Sequence, residues 1–259
     1  MNLTPEQLQS NWNTFIDNIK NYITGDRQEQ LINFYQEREE DLVLYPASHK
    51  DSFHNAFPGG YVDHVNRVVE CALKLNKIWQ EMGCRTEDYT EEELVFSAIN
   101  HDLGKIGDKE NLMYLQQTDQ WRRKNLGEHY KHNSEVDFMS IPDRSLFLLQ
   151  DYGIKVTQNE YVCIQTHDGL YDDANKKYFI SFLPDSKFKS SLPIIIHHAD
   201  MMAARIEFEQ FYYNKEEKPK QEKKPFNLNV KKQSVQNKAI SETAKKSTNS
   251  NLLNILNDL

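Results

Sequence analysis

The sequence predicts an all-α protein, and three observations support this fold class. Helix-start signals recur along the chain, each with a threonine cap followed three residues later by Gln or Glu. Apolar residues repeat at helical spacing in several stretches. No stretch of useful length alternates between apolar and polar residues, as a half-buried strand would. We therefore expect a bundle of roughly eight to ten helices.

Three helix N-termini are predicted from capping signals. Residues 4–7 (TPEQ) combine a threonine cap, a proline at the first helical position and a capping-box glutamine. The capping box recurs at residues 90–93 (TEEE) and 157–160 (TQNE), and apolar residues at helical spacing follow each one. A helix is expected after each of these three sites.

Two longer helices are predicted from apolar spacing. Residues 62–79 carry one apolar stripe, made of Val65, Val68, Val69, Ala72, Leu75, Ile78 and Trp79. Residues 193–211 read as another long helix, with Asp200 in its interior.

The composition divides the chain into four parts. A helical extension (1–44) precedes the main domain (45–214). Residues 215–249 are rich in Lys, Gln, Asn and Ser, which is typical of a disordered linker. In residues 250–259, apolar residues follow i, i+3, i+4, i+7 spacing, so this segment either docks on a protein partner or binds nothing.

The charge is distributed unevenly. The chain carries a net charge of −8, but residues 215–249 hold ten Lys and four Glu, a net of +6. Residues 250–259 add −1, so residues 1–214 carry −13. An acidic body attracts long nucleic acid poorly, because such binding depends on neutralising phosphates. A small phosphorylated substrate is the expected partner.

Cysteine content and hydropathy indicate a cytoplasmic protein. The three cysteines (Cys71, Cys84 and Cys163) are too few and too scattered for a disulfide framework or a zinc ribbon. The N-terminus is polar, unlike a signal peptide, and no apolar run approaches ~18 residues, so no membrane span is expected.

The most informative motif is the pair His101-Asp102, which closes an apolar helical stretch. Other candidate ligands lie on or beside separate predicted helices: His64, His132, His167 and Asp200. Helix bundles build metal sites in this way, from side chains on facing helices. Mixed imidazole and carboxylate ligands favour Mn²⁺, Fe²⁺, Co²⁺, Ni²⁺ or Zn²⁺ over Mg²⁺, which remains possible.

These residues resemble the pattern of the HD-domain metal-dependent phosphohydrolases: a His, a His-Asp pair and a distant Asp, here His64, His101-Asp102 and Asp200. The resemblance covers roughly residues 45–210. The segment from Pro46 to His64 looks especially like the branch that includes YhaM-type 3′–5′ exoribonucleases and the HD domains of conjugative relaxase proteins. Asn55 is a departure, because that branch often has a second histidine there.

The resemblance implies a helical HD domain and two divalent ions. One ion would take His64, His101, Asp102 and Asp200, and the other would take Asp102 as a bridge with His132 and His167. His129 competes with His132, which is preferred because the small Ser134 follows in the same predicted helical start. In the alternative, one ion is bound and His132 and His167 line the pocket.

Further roles are expected near this site. Lys105 is either a catalytic and phosphate-binding cation or a solvated helix-end lysine. Asp168 is either a general acid, a residue that orients a ligand histidine, or a cap of the turn at Gly169. His197, one turn before Asp200, is expected to support the site from behind. The basic run Arg122, Arg123 and Lys124 is a candidate phosphate contact, within a stretch (108–131) expected to shape the substrate pocket.

The leading functional prediction is hydrolysis of a phosphate ester in a nucleotide or similar small compound by a metal-activated hydroxide. One alternative is a phosphodiesterase of the 3′–5′ exonuclease or cyclic-nucleotide type, in which the basic tail would hold nucleic acid. The other is a non-catalytic, metal-bound scaffold that recruits a partner through its tail. A homo-oligomer is compatible with each.

Overall fold

The computed structural model describes residues 3–181, 183, 185 and 187–216, with side chains as far as Tyr212. The predicted linker beyond residue 216 and the predicted amphipathic segment 250–259 lie outside the described residues. Within the described residues, the elements are α1 (Pro5–Tyr22), α2 (Asp26–Gln36), α3 (Glu39–Leu42), α4 (Gly60–Glu81), α5 (Glu91–Asn100), β1 (Tyr114–Gln116), β2 (Tyr130–His132), α6 (Ile141–Asp151), α7 (Gln158–Thr166), α8 (Lys176–Phe179) and α9 (Leu192–Glu216). The all-α prediction is confirmed.

The predicted helix starts are confirmed by their hydrogen bonds. Thr4, Thr90 and Thr157 each cap a helix, and a complete capping box is present at all three. The predicted stripe of residues 62–79 lies in α4, where Val65, Val68 and Val69 are buried. Leu75 and Trp79 are partly buried against the same core, whereas Ile78 is half exposed.

Helix α4 is the centre of the bundle. It packs against α1, α5 and α9, while α7 packs against α5, α6 and α9. Helix α1 places Phe15 and Ile19 in the same core as Val65 of α4 and Ile99 of α5. The N-terminal extension (1–44) therefore shares the core of the main domain.

A small hairpin interrupts the helices. Strands β1 and β2 pair antiparallel, with Tyr114 opposite His132. The helical start expected around His132 is therefore wrong, because this residue lies in a strand. Among the described helices, none is both long and apolar enough to cross a membrane.

Candidate metal centre

The turn before α4 places the first candidate ligand, His64. Gly59 has a φ of 86°, in the left-handed region that favours glycine. A Cβ atom on Gly60 would lie 2.1 Å from the carbonyl oxygen of Asn55, so a side chain cannot fit there. These glycines let α4 begin directly beside the Asn55 loop, and His64 lies buried one turn later.

Helices α5 and α7 each end at a buried histidine. His101 is the C-cap of α5 and His167 is the C-cap of α7. Nδ1 of His101 lies 2.8 Å from the carbonyl oxygen of Ala98, and Nδ1 of His167 lies 2.8 Å from that of Ile164. Since a carbonyl only accepts, each Nδ1 carries a proton, which leaves Nε2 as the nitrogen that could bind a metal ion.

His64 is held from behind by a carboxylate. Its Nδ1 lies 3.1 and 3.2 Å from the two carboxylate oxygens of the buried Glu207. Arg67 also pairs with Glu207, at 3.2 Å. Carboxylate–histidine pairs of this kind orient metal-ligating imidazoles and raise their basicity.

The Nε2 atoms of these histidines converge on Asp102 and Asp200. His64 Nε2 lies 3.2 Å from Asp200 Oδ1 and 3.6 Å from Asp102 Oδ2. His101 Nε2 lies 3.3 Å from Asp102 Oδ2 and 3.7 Å from Asp200 Oδ1. His167 Nε2 faces the other oxygen of Asp102, Oδ1, at 3.5 Å. We call these five residues the His–Asp cluster.

The donor set of the His–Asp cluster fits a divalent cation. Within the described part of the chain, Nε2 of His64 and Nε2 of His101 are buried and have no hydrogen-bond partner. Leaving a buried polar atom unsatisfied is costly, and a bound ion would satisfy both. Atoms that share an ion at about 2.0–2.2 Å lie about 3–3.6 Å apart, which is close to the distances observed here.

The charged groups of the His–Asp cluster shift the pKa values of their neighbours. Burial alone would raise the pKa of Asp102, but Lys105 and His101 hold it well below its usual range. Burial alone would lower the pKa of His64, yet Glu207 and Asp200 raise it to about 10. In the same way, Asp168 and Asp102 overcome the burial of His167 and raise its pKa to about 9. The carboxylates thus favour the positively charged form of both imidazoles.

Lys105 lies inside this site rather than in solvent. Its Nζ is 2.5 Å from Asp102 Oδ2, and its side chain is 16% exposed. Burial lowers the pKa of Lys105, but the charge of Asp102 outweighs this and raises it, so the ammonium persists. The structure therefore brings this predicted cation to the cluster.

The structure places His132 and His129 elsewhere. The exposed ring of His132 lies 5.1 Å from that of His49 and 5.2 Å from that of Tyr114. His129 bonds to Asp51, with 2.8 Å between Nε2 and Oδ1. Among the described residues, neither histidine has a hydrogen bond or an ion pair with the His–Asp cluster.

The three residues of the basic run have different surroundings. Arg122 pairs with Glu128 at 3.0 Å and Lys124 is exposed, whereas Arg123 lines a cavity of about 440 Å³. Phe53, Asn55 and Phe57 of the loop before α4 line the same cavity, together with His129 and Tyr130. Residues 108–131 thus contribute to a pocket, as predicted, but only one member of the basic run faces it.

Asp168 and His197 both contact His167. Asp168 Oδ1 is 3.7 Å from His167 Nε2, and the Asp168 side chain is 44% exposed. His197 donates from Nδ1 to the carbonyl oxygen of His167 at 2.8 Å, so it holds the backbone of His167 in position.

The sequence reasoning missed two residues, the buried Glu207 and the partly buried His54. Glu207 follows Asp200 by seven residues on α9, two helical turns along the same face, and this spacing was the available signal. The ring centroid of His54 lies 4.3 Å from that of His64, and its Nε2 is buried without a partner in the described residues. Burial and the neighbouring His64 hold the pKa of His54 well below its usual range, so the ring is neutral.

Comparisons of the chain with protein-family models, with curated proteins and with solved structures found no match. The resemblance to the HD-domain phosphohydrolases stays a prediction, carried by His64, His101, Asp102 and Asp200.

Proposed function

We propose that this protein is an HD-type, metal-dependent phosphohydrolase that acts in the cytoplasm on a nucleotide or a similar small phosphorylated compound. One observation carries the proposal. Three imidazoles have Nδ1 engaged by protein groups and direct Nε2 at the buried carboxylate of Asp102 or the partly buried carboxylate of Asp200. Such a set is costly to bury unless a cation is bound.

In this proposal His64, His101, Asp102 and Asp200 hold a divalent cation. A divalent cation bound to such ligands neutralises phosphate charge and lowers the pKa of a water that attacks phosphorus. Glu207 fixes the ring of His64, and the backbone carbonyls of Ala98 and Ile164 fix His101 and His167. Lys105 supplies a persistent positive charge beside Asp102, suited to a phosphate oxygen.

The cavity lined by Arg123 supports a small substrate. Its volume of about 440 Å³ lies within the usual range for small-molecule sites. The cavity is not lined by the His–Asp cluster itself, but the loop that lines it also carries His54, whose ring centroid lies 4.3 Å from that of His64. Aromatic and amide side chains in its wall suit a planar base.

The test is a substrate panel with the full chain, stripped of metal and then reloaded with Mn²⁺. The panel contains nucleoside mono-, di- and triphosphates, cyclic nucleotides and short oligonucleotides. We expect turnover of a mononucleotide, reduced by about 10³-fold or more in Asp102→Asn because a ligand and its charge are lost. Asp17→Asn, at an exposed aspartate of α1, is the matched control and should match the wild type.

Two outcomes would contradict the proposal. Degradation of oligonucleotides or cyclic nucleotides without turnover of mononucleotides would replace it with a phosphodiesterase. If no substrate is turned over although Mn²⁺ binds, the protein is a metal-bound scaffold.

A further inference from the structure

The ring of His64 faces a different group of possible metal ligands on each side. Among the described residues, two groups of three side chains could hold an ion between them: His64 with His101 and Asp102, and His64 with His54 and Glu207. The first group belongs to the His–Asp cluster. The second lies on the Nδ1 side of the ring, because Nδ1 is the nitrogen that faces Glu207, at 3.1 Å from Oε2. The proposed function makes no use of His54.

The second group, which we call the His54 site, offers two imidazoles and a carboxylate. The ligand atoms of His54, His64 and Glu207 all lie within 4.8 Å of one another. Nε2 of His54 is buried and has no hydrogen-bond partner in the described part of the chain. Arg67 holds the carboxylate of Glu207 from one side, at 3.2 Å from Oε1, and Oε2 faces the histidine. Two histidines and a glutamate are a ligand set that binds Zn²⁺ in proteins.

The backbone around His54 is held against the bundle. Ser48 donates from Oγ to the carbonyl oxygen of His54 at 2.6 Å. Asn55 has a φ of 46°, in the left-handed region that residues other than glycine rarely adopt. Its Nδ2 donates to Oδ2 of Asp63 on α4 at 3.0 Å, and the amide of Ala47 donates to its carbonyl oxygen. The side chain of His54 is partly exposed, so an ion has a path to the site.

A neutral His64 can bind an ion on only one side at a time, because a neutral imidazole has one N–H and one lone pair. With an ion at Nε2, the proton stays on Nδ1 and is donated to Glu207. With an ion at Nδ1, that proton leaves to solvent and Nε2 carries the remaining one, 3.2 Å from Asp200 Oδ1. Occupation of the His54 site therefore removes His64 from the ligands of the His–Asp cluster.

We propose that His54, His64 and Glu207 form an inhibitory Zn²⁺ site, at which zinc displaces the cation of the His–Asp cluster by taking His64 away from it. Nitrogen and oxygen ligands generally bind Zn²⁺ more tightly than Mn²⁺, so zinc competes effectively for the shared histidine. The inhibition rests on the proposed function, because it requires a cation bound to Nε2 of His64.

The experiment follows the displacement of Mn²⁺ by Zn²⁺ from the full chain, with free Mn²⁺ measured by electron paramagnetic resonance. In His54→Asn, we expect the Zn²⁺ concentration that releases half of the Mn²⁺ to rise about 10-fold or more. Loss of a residue that only supports a ligand already weakens metal binding by about 10–100-fold, and here a ligand is lost. The affinity for Mn²⁺ itself should stay unchanged in this variant, because His54 is not a ligand of the His–Asp cluster.

The matched control is His132→Asn, which removes an exposed histidine outside both groups and should behave like the wild type. Circular dichroism checks that each variant is folded. If half of the Mn²⁺ is released at the same Zn²⁺ concentration in the wild type and in His54→Asn, zinc enters the His–Asp cluster directly and the inference is overturned. A loss of Mn²⁺ affinity in His54→Asn also overturns it, because His54 would then support the first site.

The outcomes separate this inference from the proposed function. If the wild type binds Mn²⁺ and hydrolyses nothing, the proposed function fails, and the displacement by Zn²⁺ still decides the inference. If the wild type binds no Mn²⁺, the proposed function also fails, and calorimetric titration with Zn²⁺ takes the place of the displacement. Binding of Zn²⁺ that is about 10-fold weaker in His54→Asn then supports the His54 site, and equal binding overturns it.

Discussion

Two groups of charged side chains in the interior of this protein differ in how their polar atoms are paired. The first, which we call the Arg27 cluster, consists of Arg27, Glu92 and Glu160. Arg27 Nη1 lies 2.8 Å from both carboxylate oxygens of Glu160, and the other terminal nitrogen pairs with Glu92. The guanidinium also lies 4.4 Å from the ring centroid of Phe96. Its charges are satisfied by residues of the chain itself.

The His–Asp cluster is more deeply buried, and although Lys105 pairs with Asp102, its polar atoms are not all satisfied in this way. Nε2 of His64 and Nε2 of His101 lack a partner in the described residues, and they face Asp102 and Asp200 at 3.2–3.7 Å. The comparison teaches that buried charge alone does not indicate a functional site. What distinguishes the His–Asp cluster is that two buried imidazole nitrogen atoms are held in position and have no hydrogen-bond partner among the described residues.

Removing the cation of the Arg27 cluster should give the largest loss of stability. In Arg27→Ala the fully buried Glu160 keeps its carboxylate without a counter-charge, so we expect a loss of about 3–5 kcal/mol in the free energy of unfolding. Urea denaturation followed by circular dichroism measures it. Lys74→Ala, which breaks an exposed ion pair with Glu70, is the control and should not change the midpoint. Equal midpoints for the two variants would contradict the structural role.

The His–Asp cluster should instead respond to metal. With free Mn²⁺ at about a thousand times its dissociation constant, binding to the folded state stabilises by about 4 kcal/mol, and a chelator removes this gain. Asp102→Asn should show no gain, whereas Arg27→Ala should keep it, because its cluster holds no ion. Thermal unfolding with and without chelator measures the difference. A gain of equal size in Asp102→Asn would show that Mn²⁺ binds elsewhere.

The helices were easier to predict from the sequence than the contacts of the two clusters. The capping boxes at Thr4, Thr90 and Thr157 are local, so four residues suffice to predict each one. The hairpin was missed because its strands have three residues each, too few for alternation to be visible. His132 was consequently expected on a helix beside the metal ions.

The site itself was predicted in part. His64, His101, Asp102, His167 and Asp200 were expected together and the structure brings them together. Contacts between distant residues outside this motif were not accessible, because no local pattern identifies the partner. Glu207 meets His64 across 143 positions, and Arg27 meets Glu160 across 133.

Weakening the support of one ligand should have a smaller effect than losing a ligand. In Glu207→Gln the partner of His64 Nδ1 loses its charge, so His64 becomes less basic, and we expect Mn²⁺ affinity to fall by about 10–100-fold. Glu209→Gln, at an exposed position on the same helix, is the control. Calorimetric titration measures both. Equal affinities in the two variants would show that Glu207 serves packing alone.

The smallest expected effect is the pH dependence of a capping box beside the Arg27 cluster. Burial alone would raise the pKa of Glu93, but hydrogen bonds from Thr90, Thr157 and Asn159 hold it below its ordinary value of 4.5. A carboxyl group whose pKa is lowered by folding stabilises the protein above its unfolded pKa, and this contribution is lost as the pH falls through the folded pKa. Glu93→Gln should therefore cost up to about 1 kcal/mol at neutral pH.

The difference between Glu93→Gln and the wild type should shrink as the pH falls below about 4, because protonation removes the same charge from the wild type. Urea titrations across this range measure it, with Glu91→Gln, at an exposed residue of the same helical turn, as the control. A difference that stays constant with pH would mean that the hydrogen bonds to Glu93 stabilise the neutral and charged forms equally. Folding would then not lower the pKa of Glu93, and the capping box would act through geometry alone.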